Sequence, residues 1–391
     1  MTTFNTITRR NALITAALAL ALAFIFSFVA ATTALAQNPS AMYVFGDSLS
    51  DVGNVYNNST LNAVWDFGFG ASGNYNGPAL WPGPTPPNTG SSLMNAGLIT
   101  SGVWGYTKGA FTDGSDTAPS TSTASNWAQQ LAVDLNLPLT ASSSGGTDYA
   151  YGGATTDNTT TNISTVTIGN GYTVTANATV NNIGKQVATF QTSLGLAQAS
   201  SSALYVVWGG GNDMLNNTNT SLFGATEQTA ILNLTNNIQS LYNSGARNFL
   251  WPDLPPMASI PRYLGTNAAI SSALSNACAT FKTDEDSAIL ALKAADPGMK
   301  IAELDVLSIF TNVLANPGAT TFTNVTSPAQ LKLVNPDQYL FWDNTHPTTA
   351  ADTLMANGAM AALAAAQIPE PSTITLVLFA SSLPLILRRR R

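Results

Sequence analysis

The sequence predicts an α/β protein in which a parallel sheet carries helices on both faces. Three observations lead there. Short, largely apolar runs at residues 41–45, 204–208, 248–251 and 300–304 have strand length without the apolar/polar alternation of a half-solvated sheet, so both their faces are expected to be buried. Between and after them, residues 183–199, 228–244, 268–295 and 348–366 carry apolar side chains at helical spacing. The two kinds of segment alternate along the chain, and strands joined by helical crossovers lie parallel in one sheet.

The elements follow in order. The first strand, 41–45, runs into Gly46-Asp47-Ser48-Leu49-Ser50-Asp51-Val52-Gly53-Asn54, a polar, glycine-flanked stretch at a strand's carboxyl end, where open α/β sheets place their ligands. Residues 55–125 are rich in Gly, Pro, Asn and Ser with interspersed aromatics and no sustained period, so this insertion is either a lid over a site or surface decoration. Within it Gly68-Phe69-Gly70-Ala71-Ser72-Gly73 matches a dinucleotide fingerprint, but Asn74-Tyr75-Asn76-Gly77-Pro78 follows, which does not open a helix. It is assigned to the loop. A second insertion, 157–182, alternates on both sides of Gly169-Asn170-Gly171 and reads as a decorative β-hairpin.

Composition narrows the chemistry. Of 391 residues 45% are apolar and only 9% charged, at a formal net charge of −7. A single cysteine, Cys278, excludes an internal disulfide and a CxxC metal site, and a single histidine, His346, excludes zinc sites built from several imidazoles. Neither a metal nor a cofactor is expected. Cys278 lies in an alanine-rich helical stretch and reads as a small buried residue.

The two ends read as addresses. Residues 1–36 hold Arg9-Arg10, an uncharged run from Ala12 to Ala31, and Ala34-Leu35-Ala36, which suits signal-peptidase cleavage before Gln37. An uncleaved membrane anchor is the alternative, and the surroundings of Arg9-Arg10 weakly match a twin-arginine signal. At the other end Pro369-Glu370-Pro371 precedes an uncharged apolar stretch, 373–387, and Arg388 to Arg391. This resembles the bacterial PEP-CTERM sorting signal, which implies recognition by a membrane-embedded processing enzyme of the exosortase type. Clustered arginine resists translocation, so the body would lie outside the membrane. Without the ends, eight basic residues face twenty acidic ones, a body charge of −12. No basic patch is left for a nucleic acid.

Four short blocks carry the chemistry. They are Val44-Phe45-Gly46-Asp47-Ser48-Leu49-Ser50-Asp51-Val52-Gly53-Asn54, Tyr149-Ala150-Tyr151-Gly152-Gly153-Ala154-Thr155-Thr156, Gly209-Gly210-Gly211-Asn212-Asp213, and Asp343-Asn344-Thr345-His346-Pro347. In this order they resemble the GDSL, or SGNH, serine esterases and lipases, over residues 41 to about 365. The resemblance implies a three-layer flavodoxin-like SGNH-hydrolase fold at 37–368, flanked by a signal peptide at 1–36 and the sorting signal, short transmembrane segment and Arg tail at 369–391. The insertion between Asn54 and a further match at Gly109-Ala110-Phe111-Thr112-Asp113-Gly114 is longer than usual for the family, and the hairpin is extra.

Elementary chemistry supports these residue types. Serine is a poor nucleophile until a base takes its proton, so Ser48 needs an imidazole, and only His346 exists. An imidazole needs an acceptor on its other nitrogen. Asp343 meets that need if 343–346 form one turn, although acid and base usually come from separate segments. A tetrahedral oxyanion needs uncharged donors held in place. The family pattern assigns these to the backbone of Ser48 and of Gly153, with Gly152 its rival, and to the side chain of Asn212. Asp47, Asp51, Asn54 and Asp213 also match family positions, with loop hydrogen bonding as their default role.

The expected function is an exported carboxyl-ester hydrolase of a bacterial cell envelope, outer surface or matrix, acting on a lipid, an acylated carbohydrate or a small ester through an acyl-enzyme. An acyltransferase built on the same acyl-enzyme is the nearest alternative. A non-catalytic matrix protein is the alternative of another class, and an intact nucleophile, base, acid and donor set counts against it.

Overall fold

The computed structural model describes residues 38–58, 109–113, 125–168, 172–217, 219–329 and 334–368. The predicted signal and sorting segments, most of the aromatic insertion with its glycine fingerprint, and the Gly169-Asn170-Gly171 turn lie outside the described residues. From Pro39 to Ile368 the chain forms a single unit. Its regular elements, in order, are Met42–Phe45 (β1), Asn54–Asn57 (α1), Trp127–Asp134 (α2), Thr160–Ile168 (β2), Tyr172–Asn181 (β3), Ile183–Leu194 (α3), Leu204–Val207 (β4), Gly211–Leu215 (α4), Phe223–Asn243 (α5), Asn248–Pro252 (β5), Ala268–Ala295 (α6), Lys300–Leu304 (β6), Val306–Ala315 (α7), Asn324–Pro328 (β7), Tyr339–Phe341 (β8) and Thr349–Ala365 (α8).

The central sheet has the order β1-β4-β5-β6, with every pair parallel. Segment 147–151 runs along the free edge of β1: Val44 N–H donates to Thr147 O at 3.1 Å, and Tyr149 N–H to Val44 O at 2.7 Å. Alternate side chains of each strand feed two cores. Tyr205, Val207, Phe249, Trp251 and Ile301 join Val187 and Phe190 of α3, Leu234 and Ile238 of α5, and Phe281 and Ile289 of α6 on one face. Met42, Val44, Leu204, Val206, Leu250, Ala302 and Leu304 join Leu131 of α2, Phe310 of α7, and Met355 and Leu363 of α8 on the other. Burial on both faces is why these strands read as apolar runs rather than alternating ones. The predicted α/β architecture is the one observed.

Differences lie at boundaries. The 183–199 helix stops at Leu194, because Gly195 at φ +60° leaves the helical region. The 228–244 helix starts earlier, at Phe223. Helix α2 begins with a capping box, Asn126 accepting from Gln129 N while the Gln129 side chain accepts from Asn126 N. The hairpin is real and longer than its central alternation indicated, with β2 and β3 antiparallel and a register shift between Ile163 and Thr165. Among the described residues no helix is long and apolar enough to cross a membrane.

An unusual number of carboxyl groups are buried. Burial raises Asp51 to about 7 and Asp253 to about 8. It also pushes Asp148, Glu285 and Asp352 well above the usual carboxylate range. Each of these groups binds its proton more tightly folded than unfolded, so the stability it contributes is full below about pH 4 and is lost as pH rises through its folded pKa. Asp157 and Asp286 shift the other way, at partly exposed positions. The thermal transition is therefore expected to be higher at pH 5 than at pH 8.5. A scan in which it rises with pH across that window would contradict the buried carboxyl account.

Candidate active site

Ser48 stands just past the carboxyl end of β1, in a turn held from three directions. Gln186 of α3 grips Gly46 at both backbone groups: Gly46 N–H donates to its Oε1 at 2.9 Å and its Nε2 donates to Gly46 O at 2.8 Å. Asp47 closes the turn, its Oδ1 accepting from Leu49 N at 3.0 Å and its carbonyl from Ser50 N and Asp51 N. Asp51 accepts from Gly53, Asn54 and Val55 N–H groups and from Gly152 N–H at 3.0 Å, tying the serine turn to the second block. Asn54 Nδ2 and Asp148 Oδ2 complete the tie through Ala150 O and Val52 N. The serine turn is thus fixed by side chains bonding to backbone together with backbone bonds such as Ser50 N–H to Asp47 O and Tyr151 N–H to Gly46 O.

The fourth block forms one tight turn. Asp343 Oδ1 accepts from the N–H groups of Thr345 and His346, both at 2.6 Å, and this leaves Oδ2 facing the imidazole. His346 Nδ1 lies 2.7 Å from Asp343 Oδ2, and His346 Nε2 lies 2.8 Å from Ser48 Oγ across 298 residues of sequence. Trp342 N–H donates to His346 O at 2.8 Å, closing the loop on its own stem. One turn therefore brings the Asp343 carboxylate and the His346 imidazole together, as the three-residue spacing allowed.

The third block reaches the pocket that Ser48 and His346 line, and the second block is tied to the third and to the serine turn. Gly153 has φ +82°, a conformation that favours glycine, whereas Gly152 is needed for space, since a Cβ there would overlap the ring of Phe111. Gly210 has φ +105° and starts α4, which presents Asn212. The Asn212 amide donates to Ala154 O at 2.9 Å, and Asp213 accepts from Thr156 N and Thr156 Oγ1, so the two blocks are stitched together.

Ser48, Asn212 and His346 line one pocket whose other walls are mainly apolar, among them Leu49, Trp208, Met257, Ile260, Phe310, Phe341 and Met355. Gly153 is not among its lining residues. Among the described residues Asp47 is the one acidic group in the lining. Burial raises its carboxyl to about 6, opposed by the Leu49 hydrogen bond and by His346. Among the described residues no group of His, Cys, Asp and Glu is arranged to hold a metal ion. Cys278 is buried in α6, its thiol pushed up to about 12 by desolvation.

The sequence has counterparts among known proteins. A family model described as GDSL-like Lipase/Acylhydrolase matches residues 42–359. The chain belongs to that family. The matched segment of this GDSL chain takes in all four blocks and both site-bearing turns. Two GDSL esterase/lipases of Arabidopsis thaliana are each 27% identical to it, one over 194 residues (43% of this chain, 50% of the relative) and one over 181 (39% and 50%). The chain thus spans about half the length of the curated relatives it matches. A solved structure of a lipolytic G-D-S-L family member from Veillonella parvula aligns at 12% identity and a TM-score of 0.34, over 63% of this chain and 90% of that one.

Residues absent from the motif strings also shape the site. Gln186 sits on the apolar stripe of α3 between Ile183 and Phe190, and a polar residue on such a stripe is a readable signal. Asp148 carries no comparable signal, because its partners lie far away in sequence; Phe111 falls within the match at 109–114, but that string does not say which blocks its ring meets.

Proposed function

We propose that this GDSL-family chain is an exported carboxyl-ester hydrolase working through an acyl-enzyme on Ser48. The observation that carries the reading is the unbroken row Ser48 Oγ, His346 Nε2, His346 Nδ1 and Asp343 Oδ2, at 2.8 and 2.7 Å, opening into a mainly apolar pocket. Ser48 Oγ attacks the ester carbonyl carbon as His346 Nε2 takes its proton, and Asp343 holds the resulting imidazolium. The oxyanion accepts from the Ser48 and Gly153 N–H groups and from Asn212 Nδ2. Collapse returns the proton from His346 to the departing alkoxide and leaves the acyl group on Ser48. A water, deprotonated by the same imidazole, then releases the acid.

The apolar walls favour an ester with an aliphatic acyl chain over a charged or strongly hydrated one. Water and an alcohol compete for the same acyl-enzyme, so product analysis with and without added alcohol separates hydrolase from transferase. A burst of p-nitrophenol equal to the enzyme concentration, followed by slower turnover, is the result expected of an acyl-enzyme. Strictly linear release at every concentration of a fast-acylating ester would overturn the covalent route.

The two ends supply the location. Residues 1–36 would direct export and 369–391 would be handed to an exosortase-type enzyme, leaving the 37–368 hydrolase domain at the outer surface or in the matrix of a bacterium. The mass of the native protein is expected to match a chain that starts at Gln37 and lacks the segment from about Thr373 to Arg391. Retention of the four terminal arginines would overturn the sorting reading.

A further inference from the structure

We propose that Phe111 is a positioning residue of the reaction, a rigid spacer that sets the His346 imidazole against the oxyanion loop. The proposal rests on the reading of Ser48 and His346 as nucleophile and base.

Residues 109–113 belong to the long Gly- and Pro-rich insertion, yet they are as buried as core: Ala110 is 1%, Phe111 3%, Thr112 0% and Asp113 4% exposed. Polar insertions that merely decorate a surface do not bury every residue of such a stretch. This one touches three catalytic blocks in turn. A Cβ on Gly109 would stand 2.6 Å from Gly53 Cα at the end of the serine turn. The Phe111 ring lies 5.1 Å, centroid to centroid, from the His346 ring at 31°. Its far edge, Cζ and Cε2, fills the space a Cβ on Gly152 would need. Thr112 Oγ1 donates to Pro347 O at 3.1 Å, and Asp113 accepts from Thr349 N, the first residue of α8 after the histidine turn.

The physical need is specific. The two hydrogen bonds of the His346 imidazole lie in its ring plane, so they fix its position in that plane and leave tilt and displacement along the ring normal to packing. Phe111 supplies that packing from one side. Because Gly152 precedes Gly153, the same ring also sets the separation between the base and the backbone donor assigned to the oxyanion. A misplacement of about 1 Å in such a constellation costs on the order of a hundredfold in rate. Phe111 does not line the apolar pocket, so substrate binding should be indifferent to it.

The test is a two-residue cycle with p-nitrophenyl butyrate, rates being expressed per active site titrated with a fluorophosphonate. Phe111→Leu shortens the side chain and is expected to lower kcat about ten- to a hundredfold with KM within about twofold. Gly152 does not occupy the left-handed region, so Gly152→Ala fits its backbone and acts by pushing the ring, with a similar loss in kcat. Leucine lacks the ring's far edge, and the double variant is therefore expected to lose far less than the product of the two single losses. Losses that simply multiply, a loss carried by KM, or an unchanged kcat in Phe111→Leu would overturn the proposal while Ser48 still labels. Failure of wild-type Ser48 to label would instead overturn the hydrolase reading on which it rests.

Discussion

Ser48→Ala is expected to lower kcat for a short p-nitrophenyl ester by about four to six orders of magnitude while the thermal transition stays within a few degrees. The first half follows from the proposed role of Ser48 and the second from the structure. Ser48 is partly exposed, and the turn around it is held by Gly46, Asp47 and Asp51 through bonds that do not involve its hydroxyl. Losing Oγ therefore removes the proposed attacking atom and the partner of His346 Nε2 without opening a cavity. A variant that keeps more than about one percent of activity, with its fold intact, would remove Ser48 from the chemistry.

The second largest effect is expected at Asn212. Asn212 lines the pocket, and the bond from its Nδ2 to Ala154 O uses one of the two N–H groups of the amide. In Asn212→Ala the nucleophile and base remain, so the loss should fall on kcat, by about a hundredfold to a thousandfold, with KM nearly unchanged. A donor needed only for ground-state binding would give the reverse pattern. Asn212→Asp keeps the shape and removes the donor, so a loss as deep as that of alanine separates hydrogen-bond donation from packing.

How far these residues could be read from sequence depends on the range of their interactions. The four parallel strands were legible because burial on both faces leaves an apolar run, and α6 was legible over its whole length because Leu274, Phe281, Ile289 and Leu292 repeat at helical spacing. Helix α2 was not, although its Asn126/Gln129 capping box was present, since the featureless insertion ends just before it. Asp343 and His346 were legible together, being three residues apart in one turn. The partners of Gln186 and Phe111 were not: the polar residue on the α3 stripe and the match at 109–114 mark the two positions, but each meets a block 140 or more residues away, and no local pattern encodes such a meeting. The buried carboxyls Asp148, Glu285 and Asp352 escaped for the same reason: an acidic residue in sequence gives no notice that the fold encloses it.

The central claim is that Ser48 becomes a nucleophile because His346, held by Asp343, takes its proton. Treating the protein with a fluorophosphonate at neutral pH and mapping the adduct by peptide mass spectrometry, in wild type and in His346→Gln, tests it most directly. The account predicts one adduct per chain, on Ser48, formed at least a hundredfold more slowly in His346→Gln. An adduct on another residue, or labelling of Ser48 at the same rate in both proteins, would contradict it.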